Sequence, residues 1–287
     1  MIPPAIALAL LTPWSAAVLK WLLTIPVLIG ALVSYLRNAG HVPHELRLRR
    51  KGLDSLIAGR PGEAEKYFRR SLAMLDPSDQ VRPLVCLADA LMDQGRYEES
   101  KKYLVRAIGL GDATGSGQGS MADLLLLTGA DPQKALDMAD QALELTTRTS
   151  RQDIYFKVGV RNDLRHARYW ARRAQALAQL HRRAEARQAI DRASRLVKAA
   201  HEEAQQTKPR TPILAKLILG GRLAHSRNLA LATAHWKIGL AFLAIDDPSK
   251  AIDHFRITRD TDRRGKYRNL ARQELKRLES RAQGQAA

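Results

Sequence analysis

Two stretches of the sequence carry the same pattern of small, turn and aromatic residues. Residues 52–72 read GLDSLIAGRPGEAEKYFRRSL, and residues 87–108 read LADALMDQGRYEESKKYLVRAI. In each stretch a first helix is predicted to end at a glycine, Gly59 or Gly95, and these two glycines lie 36 residues apart. A fixed period of this length is typical of a repeat architecture, so the stretches are predicted to be two copies of one helix–turn–helix unit.

Small residues are expected where the two helices of each unit cross. In the first unit Gly52 is predicted to face Ala64, and in the second unit Ala88 is predicted to face Ser100. Two antiparallel helices approach closely only where the facing side chains are small. One such pair cannot bury its apolar face alone, so the pairs are predicted to stack on one another.

The two units resemble tetratricopeptide repeats, with Leu48 and Leu84 one turn before the small residue of the first helix. The resemblance implies an all-α domain in which antiparallel helix pairs stack into a right-handed superhelix. It also implies a concave groove, lined by the first helix of each pair, that binds peptides or helices of other proteins. The Ala-, Leu- and Arg-rich composition favours helices independently of the resemblance.

The resemblance weakens along the chain. Residues 129–143 preserve only the second helix of a unit, and Asp123 stands where its first helix should carry a small residue. Residues 169–193 have His181 in place of the turn glycine, and residues 234–258 carry two aspartates and a proline in their turn. The spacing between these later units is irregular, and the gap after the fourth unit could contain a degenerate repeat.

The N-terminal segment is almost free of charge, because Lys20 is the only charged residue between Ile2 and Leu36. An apolar stretch from Leu11 to Leu36 exceeds the ~20 residues needed to cross a bilayer, so it is predicted to be a transmembrane helix. Basic residues follow it and none precedes it, which predicts a cytoplasmic C-terminal domain, as in a bacterial inner-membrane protein. A cleaved signal peptide and a helical hairpin were the weaker alternatives.

These elements give an ordered domain organisation. The predicted parts are a transmembrane anchor (1–38), a juxtamembrane linker (39–44), repeats 1–3 (45–145), a linker or extra helix (146–166), divergent repeats (167–258), and a C-terminal capping helix with a basic tail (259–287).

The chain is strongly basic, with a formal net charge of +18, and residues 161–198 and 256–281 carry most of the excess. Arginines recur on one face of a predicted helix and continue on the next, which indicates an anion-binding patch. A solvated helix face with local ion pairs is the alternative interpretation. The residues of the predicted patch are Arg161, Arg165, Arg168, Arg172, Arg182, Arg183 and Arg187.

The resemblance also implies which residues would contact a protein partner. The outward positions of the first helices form the predicted groove, in which Trp236 is either an aromatic anchor or a core residue. The residues of the predicted groove are Arg49, Arg82, Val85, Asp89, Met92, Arg168 and Trp236.

No pattern in the sequence indicates catalysis, a metal or a cofactor. His44 and His201 each precede a glutamate but lack the second histidine of the zinc-helix motif. The Gly/Ser-rich stretch at 109–120 lacks the lysine of a phosphate loop and is interpreted as a linker between repeats. Cys86, the only cysteine, is interpreted as a small core residue.

The sequence therefore predicts a non-enzymatic, membrane-tethered adaptor whose repeats bind a protein partner, with possible contacts to anionic lipid. The alternative is a basic peripheral factor that binds anionic lipid or nucleic acid through its C-terminal half. Nucleic acid is the less favoured anion because stacking aromatic residues are sparse.

Overall fold

The structure is a computed structural model that describes Gly30 and residues 44–152, 159–206, 213–262 and 265–286. It divides into two units, residues 1–47 and residues 48–287, and the repeats lie in the second. The described residues form eleven α-helices and no strand, which confirms the all-helical repeat fold. The helices are α1 (His44–Ile57), α2 (Pro61–Leu72), α3 (Val81–Met92), α4 (Tyr97–Gly109), α5 (Ser116–Thr128), α6 (Pro132–Gln152), α7 (Gly159–Gln179), α8 (Arg183–Gln206), α9 (Ile213–Ala244), α10 (Pro248–Thr261) and α11 (Lys266–Ala286).

Consecutive helices pack as pairs, and neighbouring pairs pack on one another. The helices α3 and α4, α5 and α6, α7 and α8, and α9 and α10 contact each other within pairs. The first helices of successive pairs also meet directly, because α5 contacts α3 and α7, and α7 contacts α9. The odd-numbered helices α3 to α9 therefore form one continuous layer, and α4, α6, α8 and α10 each pack against the odd-numbered helices before and after them.

Small residues lie at the helix crossings, as the repeat pattern requires. A Cβ atom added to Gly52 would lie 2.8 Å from the Phe68 ring, so α1 and α2 can approach this closely because Gly52 has no side chain. In the second pair the Ser100 hydroxyl donates a hydrogen bond of 2.9 Å to the Ala88 carbonyl. Both contacts are buried and join the two helices of a pair across their turn.

The turn inside a pair requires a left-handed residue. Gly59 and Gly95 have φ angles of 73° and 74°, a conformation that glycine adopts without steric cost. His181 and Asp246 occupy the corresponding turns of the later pairs with φ angles of 60° and 63°. The departure from glycine at His181 therefore leaves the turn geometry intact.

The Gly/Ser-rich stretch differs from its interpretation as a linker, because its second half is helix. Helix α5 begins at Ser116, and Gly117 and Gly119 are buried within it. A Cβ atom on Gly119 would clash with the ring of Tyr169, so glycine lets α5 and α7 come close. These glycines serve helix packing rather than chain flexibility.

The irregular spacings correspond to long helices. Helix α6 extends to Gln152 and α7 begins at Gly159, in the region expected to be a linker or an extra helix. Gly220 and Gly221, considered for a degenerate repeat, lie within the 32-residue helix α9.

The predicted membrane localisation is wrong. Among the described residues, no helix combines the length and the apolar character that crossing a bilayer needs. Even the longest helix, α9, carries Lys216, Arg222, Arg227 and Lys237 along its length. The proposed span at residues 11–36 lies, apart from Gly30, outside the described residues. The single-pass, cytoplasm-facing arrangement is therefore withdrawn.

Candidate functional site: an arginine-lined pocket

A cavity of about 590 Å³ lies between the first helices of four successive pairs. Helices α1, α3, α5 and α7 contribute to its wall, together with residues 78–79 and the loop at 111–114. Five arginines line it: Arg49 from α1, Arg82 from α3, and Arg165, Arg168 and Arg172 from α7. We call this cavity the arginine pocket.

The arginine pocket brings the two sets of predicted site residues together. From the predicted groove it contains Arg49, Arg82, Val85, Asp89 and Arg168, and from the predicted patch it contains Arg165, Arg168 and Arg172. The groove and the patch were inferred from different patterns, and Arg168 belongs to both.

The remaining residues of the predicted groove lie elsewhere. Trp236 is 8% exposed and packs against Phe255, with ring centroids 5.1 Å apart, and against Tyr267 at 6.5 Å. Met92 is partly buried against the same core. The structure therefore places both side chains in the hydrophobic interior rather than in the pocket.

The remaining residues of the predicted patch are separated from the pocket. Arg182, Arg183 and Arg187 are exposed near the start of α8, and Arg182 binds Glu185 in a local ion pair of 2.7 Å. The side chain of Arg161 is outside the described part of the chain. The patch is thus divided between an inner face on α7 and a solvated face on α8.

Arg172, at the back of the pocket, is held in a buried ion triad. Its guanidinium donates to both carboxylate oxygens of Asp123, at 2.8 and 2.6 Å, and Lys237 Nζ donates to the same carboxylate at 2.7 Å. Burial alone would raise the pKa of Asp123, but Arg172 and Lys237 outweigh it and hold that pKa well below its usual value. The triad joins α5, α7 and α9.

Two carboxylates in the pocket wall already have partners. Asp112 is buried and accepts hydrogen bonds from the Thr114 and Ser116 hydroxyls and from the Gly117 amide, which closes the start of α5. Asp89 accepts a hydrogen bond from Ser120, although burial still raises the pKa of Asp89.

The other four arginines of the pocket differ from Arg172 in having no carboxylate partner among the described residues. Among the described carboxylates, none lies within ion-pair distance of Arg49, Arg82, Arg165 or Arg168. The Nε atom of Arg168 is buried and lacks a hydrogen-bond partner within the described part of the protein. Burial, together with the nearby charge on Arg172, lowers the pKa of Arg168. This guanidinium lies where an incoming acceptor would complete its hydrogen bonding.

The start of α11 returns to the first two helix pairs. Lys266 Nζ donates to Asp93, at the end of α3, at 2.6 Å. A Cβ atom on Gly59 would lie 3.4 Å from the Lys266 Cβ, so the two chain segments are in contact. Asp262 fixes this segment by accepting from the Gly265 and Tyr267 amides.

Burial keeps Cys86, His235 and His254 in their neutral forms at neutral pH. Burial, followed by the charge on Asp89, raises the pKa of Cys86 to about 12, so its thiol stays protonated at neutral pH. The Nδ1 atoms of His235 and His254 lie 2.9 Å apart, and burial lowers their pKa values to about 3 and about 4. No group of three potential metal ligands occurs among the described residues.

Sequence reasoning missed three residues that shape the pocket: Asp112, Asp123 and Tyr169. Asp123 was noticed only as an exception to the small-residue pattern, and that exception was the available signal. Asp112 could have been found as an aspartate followed by Thr114 and Ser116, a pattern that favours helix starts. Nothing in the sequence linked Tyr169 to Gly119, because contacts between distant segments leave no local pattern.

The comparisons with known proteins agree with the helix-pair architecture. Residues 84–110, which span α3 and α4, match the family model of the tetratricopeptide repeat. The match supports the tetratricopeptide-repeat family. It coincides with the second unit identified from the sequence, and no curated protein matches the chain.

Solved structures with similar tetratricopeptide architecture share little sequence with this chain. A crystal structure of MamA is 14% identical and covers 76% of this chain and 92% of its own, with a TM-score of 0.38. A kinesin light chain of Podosopora anserina with nearly identical TPR-like repeats is 15% identical, with coverages of 77% and 97% and a TM-score of 0.40. The TPR2AB domain of yeast Sti1 in its pHSP90 complex is 14% identical, with coverages of 82% and 98% and a TM-score of 0.32. These values are too low to support an argument about function.

Proposed function

We propose that this chain is a non-enzymatic protein-interaction scaffold whose arginine pocket binds an acidic segment of a partner protein. The proposal rests on one observation, namely the four arginines without ion-pair partners among the described residues that three helices direct into one cavity. It includes the right-handed stacking of the helix pairs that is usual for tetratricopeptide repeats. Proteins of this family generally bind protein partners.

The charge of the pocket supports an acidic partner. The wall holds five arginines and three carboxylates, those of Asp79, Asp89 and Asp112. The net charge is therefore positive, and such a cavity attracts anionic groups over several ångströms. Charge complementarity of this kind increases both the association rate and the specificity of a complex.

The proposed ligand is an extended segment rather than a helix. A helix with its side chains is about 10–12 Å across, whereas the arginines line a recess between four helices. An extended chain could instead place one or two acidic side chains in the pocket and continue along the surface of α3. Val85 offers a small apolar contact beside the arginines.

The proposal is tested with labelled pools of degenerate peptides that carry two fixed glutamates or two fixed glutamines. Fluorescence anisotropy with the full chain should show binding of the glutamate pool only. Arg82→Glu should weaken that binding about tenfold or more, because a like charge then faces the ligand. Arg187→Glu, an equal charge change on the solvated face of α8, should leave it unchanged. Equal effects of both variants, or no preference for glutamate, would exclude the pocket.

A second candidate function is supported by another basic surface, between α10 and α11. A groove of about 420 Å³ is lined by Arg259, Arg268, Arg272 and Lys276, with Glu279 as its acidic residue. We propose this groove as the site at which the C-terminal half would bind anionic lipid or nucleic acid. Such binding should fall steeply with added salt and should be lost in Arg272→Glu but retained in Arg82→Glu. The reverse pattern would assign the binding to the arginine pocket.

A further inference from the structure

We infer that the acidic group held by the arginine pocket is a phosphate monoester on a serine or threonine of an extended partner segment. The inference rests on the proposed function and deepens it by naming the chemical group. Its basis is the number and position of guanidinium groups without ion-pair partners in one cavity, and a buried donor that the wall does not satisfy.

The first step concerns charge. Five arginines, among them Arg172, line the pocket together with the carboxylates of Asp79, Asp89 and Asp112, so the wall has a formal net charge of +2. Lys237 and Asp123 behind Arg172 add one charge of each sign and leave this excess unchanged. A single carboxylate carries one negative charge and two acceptor oxygens. A phosphate monoester carries about −1.5 to −2 charges and three acceptor oxygens, so it fits this excess better.

The second step concerns hydrogen-bond donors. The hydroxyls of Thr114 and Ser116, which could otherwise bind an anion, both donate to Asp112. The charged donors left for a ligand are guanidinium N–H groups, which reach the cavity from α1, α3 and α7. Planar guanidinium groups bind phosphate oxygens through paired hydrogen bonds, which lysine cannot do.

The third step concerns Arg168. Its Nε–H is buried and lacks an acceptor among the described residues, a condition that native proteins rarely leave uncorrected. One turn further along α7, Arg172 is fixed by Asp123 and lies 5.3 Å from the Tyr169 ring. Arg172 is therefore held in place beside Arg168, and an acceptor on a ligand could satisfy the Arg168 Nε–H.

The location of the pocket favours a chain segment over a membrane surface. The cavity is recessed between four helices and two loops, and Arg165 and Arg168 are only partly exposed at its back. A phosphate on a side chain can project to this depth from an extended backbone. A flat bilayer would instead meet exposed groups first, such as Arg82.

The test compares three degenerate nonapeptide pools that differ only in a central phosphoserine, glutamate or serine. With the full chain, anisotropy should show the phosphoserine pool binding about tenfold tighter than the glutamate pool, in line with the greater strength of multiple charge-assisted hydrogen bonds. Arg168→Gln and Arg82→Gln should each weaken the phosphoserine pool about tenfold, whereas Arg187→Gln should not. Arg82 is exposed, so its variant reports on binding even if Arg168→Gln affects folding.

The outcomes separate this inference from the proposed function. If the glutamate pool binds as tightly as the phosphoserine pool with the same arginine dependence, the phosphate assignment fails and the acidic-segment function stands. If no pool binds, both fail. If vesicles containing phosphoinositide, or inorganic phosphate, bind tighter than the phosphoserine pool through Arg82 and Arg168, the ligand is a lipid headgroup or a free anion, and the inference is overturned.

Discussion

The first helix pair and the last one have the same crossing but different turns. Gly52 meets the ring of Phe68, and Gly239 meets the ring of Phe255, with a separation of 16 residues in both cases. The turn of the first pair uses Gly59, whereas that of the last pair uses Asp246. The crossing thus tolerates little change, while the turn accepts any residue that can adopt a left-handed conformation at moderate cost.

The middle of the stack contains a buried charge cluster that the crossings of its two end pairs lack. Around the first and last pairs, the crossing contacts are apolar and close. Between α5, α7 and α9, the ion triad of Asp123, Arg172 and Lys237 is buried beside the apolar core. A buried charge that loses its partner is far more costly than a lost apolar contact, so the middle should be the most sensitive region.

The largest expected effect is that of Asp123→Ala. It leaves Arg172 and Lys237 buried without their carboxylate, and removal of one partner from a buried ion pair costs about 3–5 kcal/mol. The control is Asp140→Ala, which removes an ion pair of 2.8 Å with Arg173 where the aspartate is 48% exposed. That change should cost less than about 1 kcal/mol. Urea unfolding measures the free energy of unfolding of both variants. Equal losses of stability would contradict the expected difference between buried and exposed ion pairs.

The next effect compares the two ends directly. Gly52→Ala and Gly239→Ala place a Cβ atom 2.8 and 2.6 Å from a phenylalanine ring, so each should cost about 1–3 kcal/mol through overpacking. Gly62→Ala is the control, because its Cβ would meet nothing within 4 Å in helix α2. Alanine there should stabilise by up to about 1 kcal/mol. Thermal unfolding measures all three variants. If only one of Gly52→Ala and Gly239→Ala were destabilising, the two pairs would not share the same crossing.

The smallest effect concerns the turns. His181→Gly should stabilise the protein by about 1 kcal/mol, because glycine removes the strain of a left-handed side chain at φ 60°. Gly95→Ala should destabilise by a similar amount at φ 74°, where the added Cβ meets no neighbouring atom. The free energies of unfolding of the two variants should move in opposite directions. A loss of stability in His181→Gly would show that this imidazole makes a compensating contact.

The parts of the fold that were predictable are those written locally in the sequence. The helix pairs could be predicted from the 36-residue period between Gly59 and Gly95 and from the small residues Ala64 and Ser100. This was possible because the helix crossing and the turn both lie within one repeat unit. The extent of α6, α7 and α9 was not predictable, because repeat spacing gives no information on helix length once the turn signals disappear. The N-terminal apolar run led to a membrane localisation that the described helices do not support.

The arginine pocket was predictable only in pieces. Outward positions on the first helices gave Arg49, Arg82 and Arg168, and arginine spacing on α7 gave Arg165 and Arg172. Their convergence depends on how four pairs stack, which the sequence does not state. The difference between Arg172 and Arg168 was also hidden, because it depends on Asp123, 49 residues before Arg172.

The contact of Lys266 with Asp93 has a consequence for the way the protein folds and opens. In a linear array of repeats each unit is stabilised by its neighbours, so the two ends can fray independently. Here a bond of 2.6 Å connects residues 173 positions apart, and its formation requires closure of a very long loop. This bond should therefore form late in folding. Once formed, it adds a weak coupling, about 1 kcal/mol or less for a partly exposed ion pair, between opening of the C-terminal helix and opening of the second pair.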